Sequence, residues 1–460
     1  MKSYMSYAAA IERLSALGHE LHTVAGESRR KFDLEHMRVL MFALGSPERR
    51  FASILVAGTN GKGSTSSFLA SILRQAGYRT GLYTSPHLSR PNERIQVEGE
   101  TIGDEEFAEL YFRVEGSAAA LVAERKLPQM PSFFETLTAM GFLSFAARRV
   151  HTAVLEVGMG GRLDATNIVE PIVSVITDIS LDHMEWLGST IGEIAREKAG
   201  ILRTNGVMVT LPQHPEANQV LGEVALAMES RALSAADYVP TPARPEAAEA
   251  GQAAGNRYPL TVMGERIEID SPLSGVHQRR NLALAVATAV ELSINHGYDI
   301  SAVEIEAGIR RTVWPGRLER FAGRDGKPGV LLDVGHNPAG AWALRAAVSA
   351  LPEPLTLVFG CLKDKPLTEM AQILFPRFDR LVLTEVPSPR SASLLDLAAA
   401  AEATGSVAEM ASDPQAALDR AFQITPPGGL VVATGSVYLV GRIREALSAR
   451  SSPAAEMVRR

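Results

Sequence analysis

The segment 56–65, VAGTNGKGST, contains the residues of this chain best suited to carry out chemistry. It joins an apolar run at 54–57, which predicts a buried strand, to a helical pattern at 64–75. Glycines allow backbone N–H groups to turn around an anion, and the following helix directs the positive end of its dipole at the same point. Lys62 adds a mobile charge that can reach terminal phosphates. The segment therefore predicts a cradle for a nucleoside triphosphate.

The spacing within this segment differs from that of the usual P-loop, in which the lysine is followed directly by Ser or Thr. Here Lys62 lies four positions after Gly58, and Gly63 separates it from Ser64. A tight glycine-rich turn with a surface lysine is the alternative interpretation. The strand before the segment and the helix after it favour phosphate binding, so the unusual spacing indicates a subtype of phosphate loop.

Three polar residues at or just beyond the ends of predicted strands are candidates for a Mg²⁺ site. They are Ser85, Glu156 and His183. A carboxylate on a buried strand is costly unless it meets a cation or hydrogen-bond donors, and ligands of doubly wound sheets bind at this edge. Taken singly, each residue has a structural explanation as a turn former, a salt-bridge partner or a strand-end histidine. Their shared position beside the phosphate loop favours the metal site.

The elements that must position these residues are strands alternating with helices, which predicts an α/β fold with parallel sheets. We expect a P-loop-containing, mostly parallel sheet in an N-terminal domain at 1–312. A smaller Rossmann-like α/β domain at 313–450 and a polar tail at 451–460 should follow, with the linker at the Trp-Pro-Gly break of 314–316. The segment 231–257, rich in Ala, Pro, Glu and Gly, predicts a surface insertion or a mobile loop. The predicted strands are 54–57, 79–84, 152–157, 172–177, 207–210, 330–333, 355–359, 380–384 and 430–434.

Composition narrows the class of protein. A chain of 460 residues is long enough for two or three domains, and its net charge of −6 offers no general attraction to nucleic acid or to an anionic membrane. The single cysteine, Cys361, excludes an intramolecular disulfide and fits a reducing cytosol. The segment 1–21 lacks the apolar core of a signal peptide, and no apolar run reaches the ~18 residues of a membrane span. We expect a cytoplasmic protein with neither nucleic-acid nor membrane partners.

A series of motifs resembles those of the Mur ligase superfamily and, within it, the folylpolyglutamate synthase and bifunctional dihydrofolate synthase family. The resemblance runs from about residue 31 to residue 442. The motifs are GTNGKGS at 58–64, TSPHL at 84–88, NERI at 92–95, LEVGMGGRLDATN at 155–167, DH at 182–183, WLG at 186–188, EKAGI at 197–201, WPGR at 314–317 and DVGHNP at 333–338. Several motifs in the same order are far more specific than one phosphate loop.

The resemblance implies an ATP site between two domains. It implies ATP binding by Gly58, Thr59, Asn60, Gly61, Lys62, Gly63, Ser64, Asn281, Arg317 and Asp333. It also implies that Ser85, Glu156 and His183 bind Mg²⁺, and that Lys62, Arg317 and Lys198 are catalytic.

Lys198 matches a lysine that the family carbamylates. A carbamate turns this cation into an anion that can hold a second metal, so two Mg²⁺ sites are expected. Without the resemblance, Lys198 would be interpreted as a helix-end cation favoured by the helix dipole.

The resemblance also implies a site for the pterin-bearing substrate. Its residues are Ser132, Phe133, Phe134, Glu135, Leu163, Asp164 and Ala165. The two phenylalanines could supply stacking surface for a flat heterocycle. Considered without the resemblance, two phenylalanines at the start of an apolar helix are more typical of a core.

The activity implied is that of an ATP-dependent amide ligase acting through an acyl phosphate. It would add L-glutamate to dihydropteroate, to a reduced folate, or to both, and we expect a monomer. A muropeptide ligase is one alternative, although Asn60 and the EKAGI context favour the folate branch. A nucleotide-operated binding protein that hydrolyses ATP without ligation is another. Arg317 and Asp333 argue against it, since they resemble part of a complete ligase site.

Overall fold

The computed structural model describes residues 5–17, 34–240, 256–324, 326–349, 351 and 354–451. Its strands form an eight-stranded sheet, a two-stranded hairpin and a six-stranded sheet. The first sheet contains β1 (Ala52–Ala57), β2 (Thr80–Tyr83), β3 (Ile95–Val97), β4 (Glu100–Thr101), β5 (Thr152–Glu156), β6 (Pro171–Ile176), β7 (Val207–Thr210) and β8 (Arg231–Ser234). The hairpin is β9 (Asn256–Val262) and β10 (Glu265–Ser271). The last sheet contains β11 (Glu319–Phe321), β12 (Gly329–Leu332), β13 (Leu355–Phe359), β14 (Arg380–Thr384), β15 (Ala408–Ala411) and β16 (Leu430–Thr434).

Fifteen α-helices cover these sheets in the part of the chain that the structure describes. They are α1 (Tyr7–Ala16), α2 (Leu34–Ala43), α3 (Lys62–Gln75), α4 (Asp104–Ala123), α5 (Phe133–Ala147), α6 (Met184–Leu187), α7 (Ile191–Ala199), α8 (Pro215–Ala227), α9 (Val276–Asn295), α10 (Ala302–Arg310), α11 (Pro338–Ser349), α12 (Leu367–Leu374), α13 (Leu394–Ala403), α14 (Pro414–Ile424) and α15 (Val437–Ser451). Helices α1, α2, α4, α5, α7 and α8 pack on one face of the first sheet. Helices α3, α9 and α10 pack with the hairpin on the other face, so the central strands are buried on both sides.

The first sheet has the order β4-β3-β2-β5-β1-β6-β7-β8 and is parallel from β2 to β8. At the centre, Val56 of β1 lies opposite Glu156 of β5 and Val175 of β6. This register brings the carboxyl ends of three strands to one edge. The phosphate loop after β1 therefore lies beside Glu156 and beside the segment that follows β6.

The second sheet has the order β11-β12-β16-β13-β14-β15, with only β11 antiparallel to its neighbour among these strands. Apolar cores lie on both of its faces. Together with the first sheet, this arrangement confirms the predicted fold class of a mostly parallel P-loop domain followed by a smaller α/β domain.

One prediction about organisation needs correction. The segment 231–257 is not loop throughout, since Arg231–Ser234 forms β8 and Asn256 begins β9; its part at 241–255 lies outside the described residues. The segment has little periodicity, so the sequence gave little signal for its strands. Helix α15 continues to Ser451, the first residue of the predicted tail, and the rest of that tail, 452–460, lies outside the described residues.

Helix α3 begins inside the phosphate loop and contacts α10 closely. A Cβ atom at Gly308 of α10 would lie 2.5 Å from Cα of Ile72, a distance that real Cβ atoms do not tolerate. The hydroxyl of Ser71 donates to the carbonyl of Gly308 at 2.7 Å. The two helices are therefore in backbone contact, which fixes the orientation of the helix that carries the loop.

We expect Gly308→Ala to lower the free energy of unfolding by about 1–3 kcal/mol, because the added methyl group overpacks a helix contact. Gly222, in the exposed middle of α8, has nothing within 4 Å of its Cβ position and is the matched control. Gly222→Ala should raise stability by about 0.5–1 kcal/mol through helix propensity. Urea unfolding of both variants measures the difference. Equal effects of the two substitutions would contradict the close contact.

Candidate active site

The phosphate loop links β1 to α3, and its backbone demands glycine at two positions. Gly58 has φ +152° and Gly61 has φ +89°. A Cβ at Gly58 would lie 1.8 Å from Oγ1 of Thr177, and one at Gly61 would lie 2.1 Å from Oδ1 of Asn281. Both glycines are therefore required by conformation and by space, which brings the loop into contact with β6 and α9.

Hydrogen bonds hold the loop against the segment that follows β6. The backbone N–H groups of Thr59 and Asn60 donate to the carbonyl of Asp178 at 2.9 and 3.2 Å. The Thr59 hydroxyl donates to the carbonyl of Ser180 at 3.0 Å and accepts from its N–H at 3.1 Å. The carboxylate of Asp178 is paired with Arg280 of α9 at 2.6 Å. The loop is thus positioned before any ligand arrives.

One cavity of ≈ 370 Å³, called here the nucleotide cavity, gathers all the predicted ATP, metal and catalytic residues. Its lining includes Gly58, Thr59, Asn60, Gly61, Lys62, Gly63, Ser64, Ser85, Glu156, His183, Lys198, Asn281, Arg317 and Asp333. Lys62, with its Nζ 3.2 Å from the Thr59 carbonyl, comes from the first domain. Arg317 and Asp333 come from the second. Asp333 accepts from the backbone N–H groups of Leu318 and Gly335, which fixes the direction of its carboxylate.

The three predicted metal ligands lie in this cavity. Oε2 of Glu156 accepts from the N–H of Ser85 at 3.1 Å, and burial raises the pKa of Glu156 while Lys62 opposes the shift. Burial also lowers the pKa of His183 to about 4, so its imidazole is neutral at pH 7 and retains a free lone pair. Among the described residues, no three His, Cys, Asp or Glu side chains form a metal cage. The carboxylate of Glu156 and the hydroxyl of Ser85 are oxygen donors of the kind that Mg²⁺ prefers, and the neutral imidazole of His183 would be a third donor beside them.

Lys198 lies in the last turn of α7, where the helix dipole favours a cation, and its side chain is almost fully buried. Its Nζ donates to the carbonyl of Gly58 at 2.7 Å. Burial, together with the charge of Lys62, lowers the pKa of Lys198 to about 7. A substantial fraction of this amine is therefore neutral, and hence nucleophilic, at physiological pH.

A second cavity, called here the substrate cavity, adjoins the first and shares nine lining residues with it, among them Ser85, His183 and His336. Six of the predicted substrate residues line it, namely Ser132, Phe134, Glu135, Leu163, Asp164 and Ala165. Phe133 does not. Its ring is buried in the core with the Arg94 guanidinium 5.2 Å from its centroid, so the predicted stacking surface is reduced to Phe134. Burial raises the pKa of Asp164, although hydrogen bonds from Thr166 and Met159 oppose the shift.

Four residues without a predicted role join the domains across the cleft. Nζ of Lys365 lies 2.8 Å from Oδ1 of Asp182, and Nδ2 of Asn337 donates to Asp182 at 3.2 Å and to Oδ1 of Asn60 at 3.0 Å. His336 approaches the same carboxylate at 3.9 Å. Burial alone would raise the pKa of Asp182, but Lys365 and the two neighbouring histidines lower it below its usual range.

Comparison with known families agrees with this geometry. Residues 56–289 match the Mur ligase middle domain, and residues 316–437 match the glutamate ligase domain of Mur ligases. The dihydrofolate synthase/folylpolyglutamate synthase of Bacillus subtilis (strain 168) is 36% identical over 420 residues, covering 90% of this chain and 94% of that protein. The chain belongs to the Mur ligase family.

Solved structures place this Mur ligase among the folate enzymes of the family. Mycobacterium tuberculosis folylpolyglutamate synthase complexed with ADP and AMPPCP superposes with a TM-score of 0.84 at 33% identity, covering 96% of this chain and 99% of that one. E. coli FolC in complex with DHPP and ADP gives a TM-score of 0.79 at 28% identity, covering 96% and 98%. The chain is accordingly an ATP-dependent carbon–nitrogen ligase of the folylpolyglutamate/dihydrofolate synthase type, as the motifs predicted. None of the described helices is both long and apolar enough to cross a membrane.

Sequence reasoning on this ligase missed the contacts across the cleft for a clear reason. The recognised motifs contain Asp182, His336 and Asn337, but no sequence pattern indicated that these residues would be in contact. Lys365 is 183 positions from Asp182 and had no signal beyond a short KDK run at 363–365. Only the docking of two domains brings these groups together.

The lowered pKa of Lys198 predicts a pH dependence of stability. Because the folded pKa is about 7 and the unfolded value is 10.5, the unfolded chain binds more protons between these values, and stability rises with pH there. In carbonate-free buffer, the free energy of unfolding of the wild type should rise by up to ~1.4 kcal/mol per pH unit relative to that of Lys198→Met between about pH 7 and 9.

Urea unfolding at several pH values across this range is the measurement. Lys126→Met changes an exposed lysine and should keep the wild-type dependence of unfolding free energy on pH. The same pH dependence in Lys198→Met as in the wild type would contradict the lowered pKa of Lys198.

Proposed function

We propose that this chain adds L-glutamate both to dihydropteroate and to reduced folates, extending the glutamate tail of the latter. The observation that carries the proposal is the junction of the two cavities at Ser85, His183 and His336. An acceptor lying against Phe134 and Asp164 can direct its carboxylate through this junction toward a phosphate held by Lys62. Names of relatives support both acceptors, since B. subtilis and E. coli relatives are called dihydrofolate synthase/folylpolyglutamate synthase.

The reaction needs no covalent bond to the protein. A carboxylate oxygen of the acceptor attacks the γ-phosphorus of ATP, and the bond between that phosphorus and the β,γ-bridging oxygen breaks. ADP departs as the leaving group, and the acceptor becomes an acyl phosphate. The amine of glutamate then attacks the acyl carbon, loses a proton, and phosphate departs. Lys62 and Arg317 would neutralise the charge that develops in the first step. Burial raises the pKa of Cys361, the single cysteine, to about 12, so no thiolate competes as a nucleophile.

We assign Mg²⁺ binding to Ser85, Glu156 and His183. A bound Mg²⁺ supplies charge neutralisation for the phosphates of ATP. The support from this structure is the position of the Glu156 carboxylate in the nucleotide cavity. Burial raises its pKa and disfavours its charged form, which a nearby cation would stabilise. Neutral His183 and the Ser85 hydroxyl offer the remaining protein ligands on the same side of the cavity.

We also propose that Lys198 is carbamylated. Its neutral amine can add to CO₂, forming an N–C bond and releasing one proton, and the product is an anion inside the nucleotide cavity. The lowered pKa and the position beside Gly58 support this modification. An anion here would offset the positive charge of Lys62 and could hold a second Mg²⁺.

We also propose that the boundary between the two domains lies between residues 312 and 313, and that the nucleotide site lies between them. Lys62 lies before this boundary and Arg317 and Asp333 lie after it, yet all of them line one cavity. A complete site is therefore built by one chain, which supports action as a monomer. It also argues against a simple nucleotide switch, because such a switch has no use for a substrate cavity that opens onto the phosphate loop.

We expect phosphate release with ATP, Mg²⁺ and glutamate to be stimulated by dihydropteroate and, separately, by tetrahydrofolate. Mass spectrometry of each product should show addition of glutamate. Lys62→Ala removes the positive charge of the phosphate loop and is the negative control. Its turnover rate should be lower than that of the wild type by about a hundredfold or more. If only one acceptor stimulates phosphate release, the proposed activity is limited to glutamate addition to that acceptor. Hydrolysis indifferent to both acceptors and to glutamate would favour the nucleotide-operated binding protein instead.

The metal assignment is tested by the Mg²⁺ dependence of turnover. His183→Ala should raise the Mg²⁺ concentration for half-maximal activity by about tenfold or more, since one protein ligand is lost. His214→Ala is the control, because His214 caps α8 outside both cavities and should leave the dependence unchanged. An unchanged dependence in His183→Ala would make His183 a structural residue.

A further inference from the structure

Gly63, the residue that makes this phosphate loop unusual, is not required by backbone conformation. Unlike Gly58 and Gly61, it does not have a positive φ. Its restriction comes from a neighbour: a Cβ at Gly63 would lie 2.7 Å from Cζ2 and 3.1 Å from Cε2 of Trp314. The indole of a residue in the interdomain linker therefore occupies the space that a side chain would need beside Lys62.

Helix α10 and the residues that lead from it to the linker run along α3 toward this contact. Ser71 donates to the carbonyl of Gly308 in α10 at 2.7 Å, and Ser67 donates to the carbonyl of Val313, just before the linker, at 3.2 Å. Gly63, Ser67 and Ser71 are spaced by four residues and so lie on one face of α3. The chain that enters the linker is consequently held in a defined register along the helix that begins in the phosphate loop.

Trp314 makes the last of these contacts along α3, and it lies three residues before Arg317 in the chain. Its indole N–H is buried without a hydrogen-bond partner, and the ring packs against the core of the first domain, so apolar packing holds the ring in place beside Gly63. Beyond it, the carbonyl of Gly316 accepts from the N–H of Val334 at 3.0 Å, where the chain joins the second sheet. Arg317 lines the nucleotide cavity, whereas Trp314 does not.

We propose that Trp314 is a positioning residue that sets Arg317 against the terminal phosphate of ATP. The packed indole fixes the distance between the phosphate loop, which carries Lys62, and the start of the second domain, which carries Arg317. Gly63 is then the residue that makes room for it. This inference rests on the proposed role of Arg317. A displacement of about 1 Å in a catalytic group can cost ~100-fold in rate, so loss of the indole should act on turnover rather than on nucleotide affinity.

The test is a double-mutant cycle of Trp314→Ala and Arg317→Ala, with kcat, KM for ATP and the Kd of ADP measured for each variant. Trp314→Ala should lower kcat about tenfold to a hundredfold and change the Kd of ADP less than about threefold. In the Arg317→Ala background the same change should lower kcat by less than about twofold, because the residue it positions is absent. Trp314→Phe should restore most of kcat by refilling the space.

Two controls keep the outcomes separate. Trp342→Ala removes a half-exposed tryptophan of the second domain, and Val313→Ala changes an exposed neighbour in the linker; both should keep wild-type kcat. If urea unfolding shows that Trp314→Ala does not fold, Trp314→Leu, which keeps an apolar side chain but leaves part of the indole's space unfilled, replaces it in the cycle.

The inference would be overturned if Trp314→Ala lowered kcat equally in the wild-type and Arg317→Ala backgrounds. It would also be overturned if Trp314→Ala left kcat unchanged in both backgrounds. Loss with Trp314→Ala but none with Arg317→Ala would overturn the proposed catalytic role of Arg317 instead.

Discussion

Charged groups confined to one cleft between two sheets are the constraint on which the rest of this structure depends. Lys62, Lys198 and Arg317 face Glu156 and Asp333 in a cavity where burial shifts the pKa of Lys198 down and that of Glu156 up. Such charges are stable only when partners compensate them. The phosphates of ATP carry negative charge that compensates the cations of this cleft, so the charges of the cleft are complementary to the nucleotide.

The constraint explains why the two domains meet where they do. Asp182, at the edge of the first sheet, is held by Lys365 and Asn337 from the second domain, and Asn337 also bonds to Asn60 of the phosphate loop. Docking therefore satisfies a buried carboxylate and braces the loop in one step. The same interface places Arg317 in the cavity that Lys62 lines, so docking of the domains also brings these two cationic groups together.

Much of the fold could be predicted because local pattern and tertiary structure agree. Strands at 355–359, 380–384 and 430–434 were predicted with the bounds that the structure has, since apolar runs between turn signals are unambiguous there. The hairpin β9–β10 was not predicted. Its strands alternate between apolar residues that pack into the core, such as Leu260 and Ile267, and exposed residues, but they adjoin a segment of low periodicity that was interpreted as a loop. Phe133 shows the limit for single residues: adjacent phenylalanines of one helix face different surroundings, and sequence assigned both to the substrate.

The sequence by itself determined the phosphate loop, the order of the elements and, through its motifs, the family and the chemistry. These depend on residue type and local spacing, which glycine conformation, helix dipoles and apolar periodicity convert directly into structure. Tertiary structure alone decided that Lys198 is buried and partly neutral, that Lys365 meets Asp182, and that Trp314 occupies the space above Gly63. Each of these depends on groups far apart in the chain, and only packing of the two domains and the linker determines their distances.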